Sequence, residues 1–491
     1  MSSLSGVRNS ISNTRKLTFF AALMVCATPT ACGGETAKAL PSVQASASDQ
    51  ADPRFAALLA DLQSYMSARD VPGASIAIVE HGKLAFSAGL GVRKSSAPDL
   101  VNATTLFRAA SLSKMVLAAT TMKLVEQGKL DLSKAITDYA PYTLSSGYDP
   151  SQISLQNLLT HTSGVPDLTI ETNCPTGAGQ EAAWFAANAS DRLLAPPGAV
   201  WNYSNRGYGI LGWAIENVTG AAYEQAAIAN IFGPAGMTSA TFDPASAMNS
   251  DHAVGHVIGS QGTTYNEPNE HDCAVTRPFD GVIASVIDYA HLGEALLANG
   301  GAMLSPQSVT AMETGYADTD AYPNALEKYG YGLFVNDWYK GQHVAEHDGD
   351  DDGYRTEIWM VPSSDFAVVL FMNRKPTKDL NEIPEKALDL FLGLSDVPKG
   401  TFTTAPGTWE KYVGRYFDPS TLGQVDIAFN GSALTITAPS YGVSDLALSQ
   451  VEGDRFAAAF SGGSQDLVFY PGSDGSPASW LVNRAGVGAR Q

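Results

Sequence analysis

The sequence predicts an α+β fold, with strands at both ends of one unit, helices between them and a second, β-rich unit behind. Three observations carry this. Ser75–Glu80 and Lys83–Ala88 are apolar runs that flank His81-Gly82 and read as a hairpin. Tyr354–Val361 and Phe366–Met372 repeat the pattern around Pro362-Ser363-Ser364-Asp365. The stretch between, residues 130–300, is mostly of helical period, broken by Pro/Gly loops. One sheet built from both ends then leaves the middle as a helical lobe.

Taken in order, the chain of 491 residues has room for two or three domains. Arg8, Arg15 and Lys16 precede Leu17–Val25, an apolar stretch too short for a comfortable membrane span. Residues 1–32 therefore read as an export signal. Thr30-Ala31-Cys32-Gly33 resembles a bacterial lipoprotein processing site, except that Pro29 stands where an aliphatic residue is usual. Lipid attachment at Cys32 and simple cleavage near Ala31 or Ala37 are the two alternatives. Both give an exported protein, periplasmic or membrane-anchored in a bacterium, otherwise secreted. Residues 33–52, rich in Ala and Ser, read as a flexible tether.

A helix is expected over Phe55–Met66. Another opens at Ser111, with Met115, Ala118, Ala119, Met122 and Val125 at helical spacing and Gly128 as its stop. A third is expected over Val286–Ala298. The first unit runs over 53–398. From 399 to 491, Val425–Phe429, Ala433–Thr437, Phe456–Ala459 and Leu467–Tyr470 are short strands separated by Gly, Ser and Asn, an antiparallel β domain. Cys174 and Cys273 remain beyond the signal, and a disulfide and two unrelated buried thiols are both open.

The net charge of −20 argues against nucleic acid, which needs a basic face. The chemistry is suggested by Ser111-x-x-Lys114, which puts a hydroxyl and an amine on one helical face. A serine needs a neighbour to take its proton, and a lysine can do so only if burial or positive charge lowers its pKa. Ser113 is the nearest competitor, but only Ser111 has the three-residue spacing to Lys114. Two further motifs follow: Tyr203-Ser204-Asn205, after Pro196-Pro197-Gly198, and His347-Asp348-Gly349, before the second strand pair.

With these motifs in this order, the chain resembles the serine β-lactamase-related superfamily of class C β-lactamases, DD-peptidases, D-aminopeptidases and β-lactamase-like esterases. Leu158-Leu159-Thr160-His161-Thr162-Ser163-Gly164 and Pro278-Phe279-Asp280-Gly281 are similar to family phrases as well. The resemblance covers about residues 53–395. It implies an antiparallel sheet flanked by helices, an all-helical lobe, and an active site between them. Tyr412-Val413-Gly414-Arg415-Tyr416 is similar to the opening of the barrel-like domains appended to such hydrolases.

The resemblance implies Ser111 as nucleophile and Lys114 with Tyr203 as the proton-handling pair, Tyr203 later protonating the leaving group. Either of the two is open as the base toward Ser111. Asn205 would orient substrate, and also suits an N-cap for a helix starting near Gly207. His347 would polarise the site, its alternative being a strand-end surface histidine. Gly349 would let substrate approach the backbone. The Ser111 and Asp350 N–H groups would form the oxyanion hole. No metal or cofactor is needed.

The expected partner is a small ester or peptide substrate. His347 in place of the family's K-T-G lysine, with an acidic loop behind it, disfavours β-lactamase activity. Esters, or D-amino-acid amides and peptides with a free amine, fit better. β-Lactamase or DD-peptidase activity is the alternative, and an inactive cell-wall-peptide binding protein is the rival of another class.

Three further motifs have readings of their own. His161 reads as fixing a turn rather than doing chemistry. Gly207-x-Gly209-x-x-Gly212 has no strand before it and lies in an apolar helical stretch, so a dinucleotide role is unsupported. Asp348-x-Asp350-x-Asp352-Gly353 matches half of a calcium loop, but Trp359 stands where the bidentate acid belongs.

Overall fold

The computed structural model describes residues 44–45 and 52–491, apart from 146–147, 168–173, 189, 260–261, 269–271, 320–326, 377–379, 396–408, 419–422, 453, 461–462, 471–477, 479 and 484–485. The expected signal and Cys32 lie outside these residues. Among them, no helix is long and apolar enough to cross a membrane.

Nine strands form the main sheet: β1 (Gln44–Ala45), β2 (Gly73–Glu80), β3 (Lys83–Gly91), β4 (Ala317–Asp318), β5 (Glu327–Tyr329), β6 (Phe334–Tyr339), β7 (Gln342–Asp351), β8 (Tyr354–Val361) and β9 (Phe366–Met372). Their order is β1-β3-β2-β9-β8-β7-β6-β5-β4, antiparallel throughout. The two expected hairpins are thus central neighbours, joined through β2 and β9. His81 and Gly82 both take positive φ, 55° and 68°, the twist a two-residue hairpin turn requires. Within the stretch expected to be a tether, Gln44–Ala45 instead pair with Gly89–Ala88.

Both faces of the sheet are buried, which is why its central strands read as continuous apolar runs. Ile76, Ile78, Val368 and Leu370 face one core with α1 (Pro53–Ala68) and α7 (Glu382–Leu392). Ala77, Val79, Val369 and Phe371 face the other, shared with α6 (Val286–Leu297) and the helical lobe. Asp52 caps α1 by accepting from the Arg54 N–H, with Pro53 at the first turn.

The lobe contains α2 (Ser113–Glu126), α3 (Glu181–Asn188), α4 (Asn205–Thr219) and α5 (Tyr223–Ala227). The glycines of Gly207-x-Gly209-x-x-Gly212 lie on α4, where they make room for packing. A Cβ at Gly212 would come 2.4 Å from Pro278 Cγ, and one at Gly209 would come 2.8 Å from Phe185 Cζ.

Cys174 and Cys273 are disulfide-bonded, with Cα atoms 5.3 Å apart. Eight C-terminal strands between Gly414 and Arg490 close into a barrel, the first pairing the last through Tyr416↔Arg490 and Phe417↔Ala489. Tyr416, Ile427, Phe456 and Phe469 fill it. Its Tyr470 packs on Ala195 and Val200 of the first unit.

Candidate active site

Ser111 does not open the helix as expected but lies just ahead of it, in a 3-10 turn over Ala110–Leu112 that runs into α2 at Ser113. Ala110 holds a positive φ of 50°, so the backbone bends sharply just before the serine. Lys114 lies on the first turn of α2 and is fully buried. Its Nζ is 2.9 Å from Ser111 Oγ and donates to the Phe279 carbonyl at 3.2 Å. It also lies 4.8 Å from the centre of the Tyr203 ring. Burial lowers the Lys114 ammonium from 10.5 to about 7, against the opposing pull of Asp280, Asp167 and Asp348. Burial alone therefore supplies the neutral amine that the Ser-x-x-Lys spacing requires.

Tyr203 precedes α4 and is held from behind. His161, fully buried at φ 57°, accepts the Ser204 N–H on Nδ1 at 3.0 Å, and its ring lies 4.3 Å from that of Tyr203. Burial, then the charges of Lys114 and His347, push His161 well below 6.5, so it stays neutral. The expected structural role fits this, though the turn it fixes is the one carrying Tyr203.

Asn205 is not the N-cap. Ser204 caps α4, accepting from the Gly207 N–H at 3.0 Å, and Asn205 is the first helical residue. Asp167 accepts both the Asn205 N–H, at 2.8 Å, and its Nδ2, at 3.3 Å, while the buried Oδ1 has no partner. The choice of O and N follows from that network.

His347 and Gly349 lie on β7, the strand bordering the site. His347 is not a surface residue. It is fully buried, with Tyr329 O–H donating to Nε2 at 2.9 Å and Nδ1 donating to the Asp348 carbonyl at 2.6 Å. Gly349 admits a close approach of neighbouring protein. A Cβ there would come 2.3 Å from Thr356 Oγ1 and 2.5 Å from the Ala109 carbonyl. The glycine seats β7 against the turn that carries Ser111.

A cavity of about 150 Å³ is lined by Ser111, Asn205 and Asp350, with Trp184, Thr276, Phe279, Asp280, Asp351 and the Cys174–Cys273 disulfide. Lys114, Tyr203, His347 and Gly349 are not part of that lining. The acidic loop is less bare than its sequence suggests. Asp348 and Asp350 pair with the buried Arg355, Asp350 also with Lys375, and Asp351 and Asp280 with the buried Arg108. Of the three acids in the calcium-loop pattern, Asp348 and Asp350 pair with Arg355, and Asp348–Asp351 lie in the antiparallel ladder with Tyr354–Glu357. Burial, then Asp351, raises Asp280 to about 7 despite Arg108 and Lys114.

Sequence reasoning missed Arg108, Asp167, Tyr329 and the Trp184 wall. Arg108 stands beside the Ser-x-x-Lys motif in Phe107-Arg108. Asp167 and Tyr329 sit in no motif at all.

The chain belongs to the beta-lactamase family, whose profile, described as Beta-lactamase, matches residues 58–390. That family is one of serine hydrolases. Penicillin-binding protein 4 of Amycolatopsis lactamdurans is 28% identical over 315 residues, 62% of this chain and 81% of the relative. Protein flp of Staphylococcus aureus (strain COL) is 27% identical over 310 residues, again 62% of this chain, and the match spans only 60% of that protein. Among solved structures, the octameric penicillin-binding protein homologue from Pyrococcus abyssi has a TM-score of 0.65 at 24% identity, over 89% of this chain and 100% of its own. SurE, solved with D-Leu, has a TM-score of 0.71 at 22% identity, over 89% and 100% of the two chains. A class C beta-lactamase has 0.60 at 19%, over 73% and 100%. At these identities the likenesses speak for the fold alone.

Proposed function

We propose that this chain is an exported serine hydrolase that attacks esters or small amides, D-amino-acid amides and peptides among them, through an acyl-enzyme on Ser111. The observation that carries the reading is the 2.9 Å contact between Ser111 Oγ and a fully buried Lys114 Nζ whose ammonium loses its proton near neutral pH. Lys114 or Tyr203 takes the Ser111 proton as Oγ adds to the carbonyl. The tetrahedral oxyanion is met by the Ser111 and Asp350 N–H groups. The bond to the leaving group breaks as Tyr203 protonates it. Water activated by the same pair then releases the acyl group.

Asn205, its Nδ2 held by Asp167, offers its unpartnered Oδ1 to a substrate N–H, which favours amides. Among the described residues no cationic side chain lines the cavity, whereas Asp280, Asp350 and Asp351 do. That lining disfavours a substrate carboxylate such as that of a β-lactam, and favours neutral or amine-bearing substrates. The Cys174–Cys273 disulfide supports export to an oxidising compartment.

The test is hydrolysis of p-nitrophenyl butyrate by the wild type and by Ser111→Ala, together with a covalent serine probe. Activity and labelling lost only in the variant support the reading. Neither in the wild type would refute it in favour of a cell-wall-peptide binder. An amine-bearing amide compared with its N-acetylated form tests the charge argument, and equal rates would remove it.

A further inference from the structure

Away from Ser111, the lobe buries an acidic trio that nothing in the reaction uses. Glu181 opens α3, Glu216 lies on α4 and Glu224 on α5. They are 0%, 7% and 5% exposed. One oxygen from each lies within 4.8 Å of the others. Both Glu181 oxygens and Glu224 Oε2 are buried without a hydrogen-bond partner. Glu216 accepts the Ala182 N–H at 2.8 Å and the Tyr223 N–H at 3.2 Å. The near cation, Arg277, is committed to Glu224 Oε1 at 2.5 Å, Asp272 at 2.9 Å and the Thr176 carbonyl at 2.6 Å. Three carboxylates buried in mutual reach with so little positive charge are costly unless something charged or protonated joins them.

We propose that Glu181, Glu216 and Glu224 form a binding site for a hard divalent cation of calcium size. The donor set is all oxygen, which suits calcium rather than softer metals. Oxygens on opposite sides of a calcium ion, each about 2.4 Å from it, lie about 4.8 Å apart, so the whole trio fits around one ion. The unpartnered Glu181 and Glu224 oxygens supply free lone pairs.

The ion would tie the start of α3 to α4 and α5. Trp184, one turn along α3, is a wall of the catalytic cavity, and the Cys174–Cys273 bond holds the neighbouring segment. The cation is thus a clamp on the cavity wall rather than a participant in the chemistry.

The test uses the purified protein stripped with EDTA. Calcium is added in a calorimetric titration and a thermal melt, and terbium luminescence is excited through tryptophan. Saturable binding of a single equivalent, with Tm raised by several degrees and a weaker response to Mg²⁺, is expected. Glu181→Gln should lose both effects. Its metal-free Tm should equal or exceed that of the wild type, because a buried carboxyl is removed. Glu216→Gln gives the same readout should the first variant fold poorly. Identical melts in Ca²⁺ and EDTA would mean that a shared proton, not a cation, satisfies the trio, and would overturn the proposal. Undiminished binding in Glu181→Gln would place the ion on surface acids and overturn it equally.

Discussion

Replacing Lys114 by methionine should abolish turnover and, at pH 6, make the protein more stable. Holding a lysine at about 7 instead of 10.5 costs its ammonium about 5 kcal/mol relative to water. Methionine fills a similar volume without charge, so that cost disappears. Leaving the Phe279 carbonyl without its donor returns about 2 kcal/mol. The net gain is about 3 kcal/mol below pH 7.

Between about 7 and the unfolded value near 10.4, the unfolded wild type binds one more proton than the folded form. Wild-type stability therefore rises with pH there, by about 1.4 kcal/mol per pH unit, and the advantage of the variant should vanish near pH 9. Urea denaturation of both proteins at pH 6, 7.5 and 9 reads this directly. In parallel, wild-type kcat/KM should rise with pH and level off above about 7, while the variant falls by about 10²–10⁴-fold. A stability difference independent of pH, or a variant less stable at pH 6, would refute the buried-lysine argument.

Other outcomes follow from the same geometry. Tyr203→Phe keeps the ring over Lys114 and removes the hydroxyl. It should lower kcat by about 10²–10³-fold with Tm little changed. Retained labelling by a serine probe in that variant would assign the base to Lys114, and lost labelling would assign it to Tyr203. Gly349→Ala should destabilise by about 1–3 kcal/mol and lower activity together, because its methyl group displaces the Ala109–Ala110 backbone ahead of Ser111. Replacing Cys174 and Cys273 by serine should cost about 4 kcal/mol in denaturant melts, since the bond spans 99 residues. A reductant should reproduce that loss in the wild type and leave the double variant unchanged.

Much of this protein was legible without its structure because the deciding signals are local. Tyr354–Val361 and Phe366–Met372 are strands at the expected residues, since each carries its own period and its own turn. Ser111 and Lys114 meet because they are three residues apart on nearly helical backbone. Boundaries shifted where a side chain could serve two roles, as when Ser204 rather than Asn205 capped α4.

Only the tertiary structure decided what depends on burial and on distant partners. The lowering of the Lys114 ammonium to about 7 comes from its burial. The acidic wall around Asp350 is tempered by Arg108 and Arg355. Glu181, Glu216 and Glu224 belong to separate helices and share no motif. No local pattern announces that helix packing will press three carboxylates together, and the cost of doing so exists only once water is excluded.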